Sequence, residues 1–236
     1  MLGGAIHTTA GFGSALVAMP ILTLVVHPVV ATPLQTAVGL GLSGLILYQH
    51  RAKWPWPDAV PLVAASIAGI PLGTYVITHL AESTVLGALG VVLLLYACFE
   101  LLGRRTPAYV GVTRDPFLLG SAIAGFLSGV LGSAYATNGP PAIIYGSLRR
   151  WPPGEFRSAL QSLFFVNGIC ILLWQGGNGL LTKEVGWYAC FAAPGLILGA
   201  FIGYKLDKYI DHKRFRTIVI GLMFLLGVLL LFRALN

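Results

Sequence analysis

Long apolar runs separated by short polar clusters set the pattern of this chain. A helix that crosses a bilayer needs about 20 apolar residues. Six runs approach or meet that length: 34–50, 60–79, 84–102, 158–175, 186–206 and 215–233. Two further apolar segments are interrupted. Segment 3–26 is broken around Gly11-Phe12-Gly13 and again at Pro20. Segment 117–147 is broken around Gly132-Ser133 and at Asn138-Gly139-Pro140-Pro141. The longest polar stretch runs from Gly103 to Pro116 and holds Arg104, Arg105, Arg114 and Asp115. This punctuation predicts a first membrane repeat over 1–103, a cytoplasmic linker over 104–116 and a second membrane repeat over 117–236.

Composition supports the membrane reading. Of the 236 residues, 56% are hydrophobic and only 10% charged, whereas a soluble domain carries about 25% charge because its surface must face water. Lipid is then the solvent. In that setting the 30 Gly and 14 Pro mark close helix contacts and deliberate helix breaks, not disorder. The formal charge of +7 comes from short Lys/Arg clusters between apolar runs. That is the placement of orientation signals and not of a nucleic-acid-binding face. It also weakly favours anionic substrates. Cys98, Cys170 and Cys190 are isolated within apolar sequence and show no metal-ligand spacing, so they read as packing residues. The opening Met1-Leu2-Gly3-Gly4 reads as the start of an apolar segment and not as a cleavable leader.

The two halves resemble each other. A shift of 121 positions places Gly4 on Gly125, Gly11 on Gly132, Ala15 on Ala136 and Pro20 on Pro141, and a shift of 130 places Gly69-x-x-x-Gly73 on Gly199-x-x-x-Gly203. Charge then sets direction. The loops at Arg51/Lys53, Arg104/Arg105/Arg114, Arg149/Arg150/Arg157 and Lys205–Arg216 are expected inside. The turns near His27, His79–Glu82 and Gly176–Glu184 are nearly free of Lys and Arg and are expected outside. For the count of crossings to work, 117–147 must enter and return on one side, and so must 3–26. Each half becomes a broken hairpin plus three spans, an odd number of net crossings. The expected fold is an all-α integral membrane protein of two inverted repeats, each a broken, re-entrant-type hairpin followed by three transmembrane helices.

Irregular backbone within a bilayer is expensive, because each unsatisfied peptide group costs several kcal/mol. It persists where it is buried in protein or lines a watery cavity. The two breaks are therefore the first candidates for a substrate site: Gly11, Gly13 and Ser14 in one half, and Gly132, Ser133, Thr137, Asn138 and Gly139 in the other. Half-helix N-termini aim N–H groups and a positive dipole end toward the midplane, and small side chains let an oxyanion approach. Small-residue helix packing explains the same glycines without a substrate. Arg157, opening the next helix, serves equally as an anchor at the inner surface or as an attractor of anions. Gln161 and Asn167 on that helix, and Gln35, Thr36 and Ser43 in the first half, must face inward for partners, either each other or a substrate. His7 and His50 are titratable but read as structural. Trp54, Trp56, Trp151, Trp174 and Trp187 fall near expected interfaces, as an aromatic belt would. No Ser/His/Asp set, no metal cluster and no nucleotide-binding loop is visible, so neither an enzyme nor a cofactor is expected.

The residues Gly4 and Gly11-Phe12-Gly13-Ser14-Ala15-Leu16-Val17-Ala18-Met19-Pro20 resemble the glycine-rich first motif of the TauE/SafE sulfite exporter family, also called the four-toluene sulfonate uptake family. Gly125-Phe126-Leu127-Ser128-Gly129-Val130-Leu131-Gly132, running on to Pro140-Pro141, resembles the second motif, and Phe156-Arg157-Ser158-Ala159-Leu160 the start of the following helix. The first motif departs from the family pattern in having Gly-Phe-Gly-Ser where a run of glycines is common. The second has Ser133-Ala134-Tyr135 after Gly132. The resemblance implies transport of sulfite, sulfonates or related organosulfur anions across the bacterial inner membrane.

The expected function is secondary transport of a small anion, by alternating access around a site between the two breaks. An uncoupled anion channel and a non-transporting membrane binding or assembly subunit are the rival readings. The expected partners are the lipid bilayer and a small anion, with a homo-oligomer possible and no nucleic acid.

Overall fold

The computed structural model describes residues 14–49, 56–102, 118–149, 151–192 and 212–235. They form helices joined by short turns, and no strand occurs among them. In chain order these are α1 (Ser14–Thr23), α2 (Pro28–Gln49), α3 (Trp56–His79), α4 (Glu82–Leu102), α5 (Leu118–Tyr135), α6 (Gly139–Leu148) and α7 (Pro153–Gly177). A helical stretch at 183–192 follows, and then α8 (His212–Leu235). Five of them, α2, α3, α4, α7 and α8, are long and apolar enough to cross a membrane. The expected linker, the first limb of the first hairpin, and the Gly199 and Gly203 counterparts of Gly69 and Gly73 lie outside the described residues.

All five spans begin earlier than the apolar runs predict, α2 and α7 by the widest margins. α2 starts at Pro28 and runs through Pro33, forgoing one backbone bond, a loss that membrane helices tolerate when neighbours compensate. α7 starts at Pro153, where a proline suits the first turn because its missing N–H has no helical partner there. The outer faces are apolar. Leu95, Leu173, Ile218, Leu225 and Phe232 are all largely exposed, a surface that water would not tolerate and lipid does.

The most extensive helix pair is α3 with α5, and glycine makes it possible. A methyl group at Gly129 would strike the carbonyl of Ser66, whose carbon lies 2.7 Å from that position. At Gly125 it would strike Leu62 (carbonyl carbon 2.9 Å), at Gly69 Val130 (nitrogen 2.9 Å), and at Gly73 Ser133 (Cβ 2.9 Å). Gly69/Gly73 and Gly125/Gly129 therefore form two facing small-xxx-small pairs that bring backbone onto backbone.

The other large contacts join the halves. α4 packs along α8, and α2 along α7. Gly90 and Gly227 meet on the first pair. On the second, Gly44 of α2 receives Phe165, and Gly168 of α7 receives Leu40. At one end of the bundle, His27 Nε2 lies 3.3 Å from Glu82 Oε2, and Arg233 donates to Thr23 O at 3.2 Å. These contacts gather the α1–α2 turn, the start of α4 and the end of α8 at one surface. That matches the charge reading in placing His27 and Glu82 on the same side.

Trp151 departs from the aromatic-belt expectation. It is buried, with edge contacts to Tyr145 and Phe156, and it fills the space left by Gly146, where a methyl would come within 2.8 Å of its ring. Trp174 and Trp187 are exposed, as headgroup anchors are.

Candidate functional site

The second break lies at 136–138, between α5 and α6. Ala136 turns into the left-handed region at φ 53°, a conformation that costs a residue with a Cβ of order 1 kcal/mol. The strain persists because four carbonyls in the last turn of α5, a place where helix carbonyls lack helical partners, find donors. Thr137 N–H reaches Leu131 O at 3.2 Å, and Ala136 N–H reaches Gly132 O at 2.8 Å. Gln175 Nε2 of α7 donates to Ser133 O at 3.1 Å, and the Thr32 hydroxyl of α2 donates to Ala134 O at 3.0 Å. Two spans thus clamp the break.

A cavity of about 50 Å³ opens beside it. A water needs roughly 10–15 Å³ by this kind of measure, so the space suits a few waters or one small oxyanion and excludes a nucleotide or sugar. One wall is α2, through Gln35, Thr36, Gly39, Leu40 and Ser43, positions that share a helical face by their spacing. The facing wall is Phe164, Gly168 and Ile171 of α7. Leu16 of α1 closes a third side, and Gly132, Ala136, Thr137, Asn138 and Gly139 form the floor at the break. The α2 and α7 residues fall in the middle of their spans, Pro28–Leu47 and Gly154–Gly177, which puts the cavity at mid-depth.

Its polar groups differ in what they can still do. Thr36 donates its hydroxyl proton to Thr32 O at 2.8 Å and keeps only acceptor capacity. Ser43 is buried, and its Oγ has no hydrogen-bond partner. A buried hydroxyl without a partner is costly, and Ser43 belongs to the cavity wall. Asn138 occupies the N-cap position of α6 but makes no side-chain cap bond, so its amide is not consumed locally. Gly132 has a steric role here. A methyl on it would come within 3.0 Å of Asn138 Cβ and 3.2 Å of Ile171 Cδ1, displacing the residues that shape the floor. Gly139 has ordinary room around it. The start of α6 is poorer in N–H groups than a half-helix end usually is, because Pro140 and Pro141 carry none. The dipole remains.

Of the residues expected at the site, Gln35, Gly132, Thr137, Asn138 and Gly139 surround this one cavity. Ser133 points away from it, toward α3, sharing a 2.7 Å hydrogen bond with Thr74. Gln161 is buried and Arg157 half-buried, both on α7 outside the cavity lining. Arg157 stands roughly 10 Å along the helix from Phe164. By spacing, Arg157, Gln161, Phe164 and Gly168 share one face. Gly11 and Gly13 lie outside the described residues, and Ser14 is the first residue of α1. Thr32, Thr74 and Gln175 were not anticipated. Their signal was a polar side chain on an otherwise apolar span, at Thr32 one turn before Thr36.

No curated protein and no solved structure matches the chain. The family model described as "Sulfite exporter TauE/SafE" matches residues 1–230, nearly the whole length. With that match, and with five helices able to span a bilayer, this multi-pass membrane chain belongs to the TauE/SafE sulfite exporter family, a family of transporters.

Proposed function

We propose that the protein carries a small sulfur oxyanion, sulfite or an organosulfonate of similar size, across the inner membrane by alternating access around the cavity at the α5–α6 break. The observation that carries this reading is the cavity itself: a small chamber midway along two spans, mostly apolar with a few polar groups, built on a helix break and walled in part by a serine whose buried hydroxyl has no partner. In this reading the Asn138 amide and the Ser43 hydroxyl donate to the oxyanion, with Gln35 and Thr137 beside them. Phe164, Leu40, Ile171 and Leu16 exclude bulk water, which strengthens those hydrogen bonds. The positive end of α6 adds to the attraction. Arg157 and Gln161 mark the approach along α7 from the side expected to face the cytoplasm.

The two halves are proposed as inverted repeats over 1–103 and 117–236, joined by the 104–116 linker. Two features support this. α2 and α7 are equivalents in such a duplication, and they pack on each other with reciprocal insertion of Leu40 and Phe165 into Gly168 and Gly44. α4 and α8 are likewise equivalents and likewise pair. Rocking about these seams would open the cavity to one side and then the other.

The test is sulfite flux into proteoliposomes holding the purified protein, against empty vesicles. Ser43→Ala and Asn138→Ala each remove one donor from the cavity, and a hydrogen bond to a charged group is worth about 1.5–3 kcal/mol. The expected result is an apparent affinity about ten- to hundredfold weaker in each, with the protein still folded. Wild-type flux that neither substitution alters would remove the cavity from the account.

A further inference from the structure

A second and far larger recess lies on the opposite side of α6. It has a volume of about 650 Å³ and an almost wholly apolar lining contributed by α4, α5 and α6. Val92, Leu95, Ile123, Leu127 and Ile144 are typical of its walls. Its polar side chains are Tyr96, whose hydroxyl donates to Glu100 Oε1 at 3.1 Å, Tyr145, and Arg149.

The layout of the groove along the membrane normal says what fits. Its deep end is formed by Leu131, Pro140 and Pro141, the residues at the helix break beside the mid-depth cavity. Its other end is formed by Gly120, in the first turn of α5, and by Leu148 and Arg149 at the end of α6. α6 has 10 residues, so the groove runs about 15 Å along it, half of the roughly 30 Å hydrocarbon core. An apolar slot one leaflet deep, closed at the surface by a guanidinium, matches one kind of molecule in length, polarity and charge.

We propose that this groove is a binding site for an anionic phospholipid of the leaflet on the Arg149 side. An acyl chain lies between α4, α5 and α6, and the phosphate sits at Arg149. The lipid chain then backs α6 on the face opposite the cavity, so the half-helix bearing Asn138 and Gly139 is held between lipid and cavity.

The test is native mass spectrometry of the full chain, released from micelles containing equal amounts of phosphatidylglycerol and phosphatidylcholine. The comparison is wild type, Arg149→Gln and Ile123→Trp. Ile123 is half exposed within the groove, so the larger ring fills the slot without disturbing the core, and circular dichroism checks the helix content of each variant. The expected result is a single phosphatidylglycerol retained by wild type in preference to phosphatidylcholine. Arg149→Gln should cut that preference about fivefold, in keeping with one cation near the membrane surface, and Ile123→Trp should abolish retention of either lipid. Equal loading of both lipids in all three proteins overturns the proposal. So does a chain dimer that Ile123→Trp dissociates, since a second copy then covers the groove.

Discussion

Gly129→Ala adds one methyl group at the closest point of the α3–α5 seam. The new carbon would sit against the carbonyl of Ser66, with the carbonyl carbon 2.7 Å away, where ordinary contact begins at 3.4 Å. Backbone cannot swing aside as a side chain does, so the two helices would have to part by about 1 Å, forfeiting packing along the seam. Neighbouring bonds resist that movement. Ser66 Oγ lies 2.6 Å from Asn167 Oδ1 of α7, and Thr74 is bonded to Ser133. Overpacking of this kind costs about 1–3 kcal/mol. At about 2–4 °C per kcal/mol for a chain of this size, the apparent melting temperature in detergent should fall by roughly 2–12 °C. Gly41→Ala is the matched control. It lies mid-helix on α2, exposed, with nothing within 4 Å of the added carbon. There alanine's better helix propensity, about 0.5–1 kcal/mol, should leave the melting temperature unchanged or slightly raised. A thermal-shift scan of the three proteins in one detergent decides the matter. Gly129→Ala melting together with wild type would refute the backbone-to-backbone seam.

Other substitutions test the break and the ends of the bundle. Ala136→Gly removes the cost of a Cβ at φ 53° and should raise the melting temperature by an amount corresponding to about 0.5–1 kcal/mol; a fall would mean that the left-handed turn is not what Ala136 adopts. Thr32→Val keeps shape but leaves Ala134 O without its donor, which should cost about 1–3 kcal/mol in the same assay. Arg233→Gln removes the cation at the α1 end and should lower stability by roughly 0.3–1 kcal/mol, less at high salt. An unchanged salt dependence would argue that the Arg233 charge plays no part.

Much of the fold was legible because lipid imposes a simple rule: spans must be long and apolar. The runs at 60–79, 84–102 and 215–233 fall within α3, α4 and α8 for that reason. The second break was legible because the Asn138–Pro141 run holds residues a continuous helix avoids; the interruption expected at Gly132-Ser133 is absent, since α5 runs through both as far as Tyr135. Its side chains were less so. Gly132 and Ser133 are neighbours in sequence, about 100° apart on a helix, so only one of them can face a given cavity. Reading them as a pair placed Ser133 in a site when it faces α3. Thr32 and Gln175 act over long sequence separations on carbonyls freed by the break, and no local pattern announces that. Gly69-x-x-x-Gly73 was read as a sign of duplication, while its role as an interface emerged only when Gly125-x-x-x-Gly129 was seen facing it. Trp151 was assigned to a belt by its position near a loop, yet the small Gly146 five residues earlier gave it a buried seat.

The central claim, a carrier that exposes one small site to each side in turn, is tested most directly by counterflow. Vesicles holding the protein are loaded with excess unlabelled sulfite and diluted into a trace of radiolabelled sulfite. A carrier should draw the label inward transiently to a level above equilibrium, as the internal anion returns the site to the outside, and Asn138→Ala should reduce that overshoot. Label that rises only to equilibrium, at a rate indifferent to the internal sulfite, would contradict alternating access and leave a channel in its place.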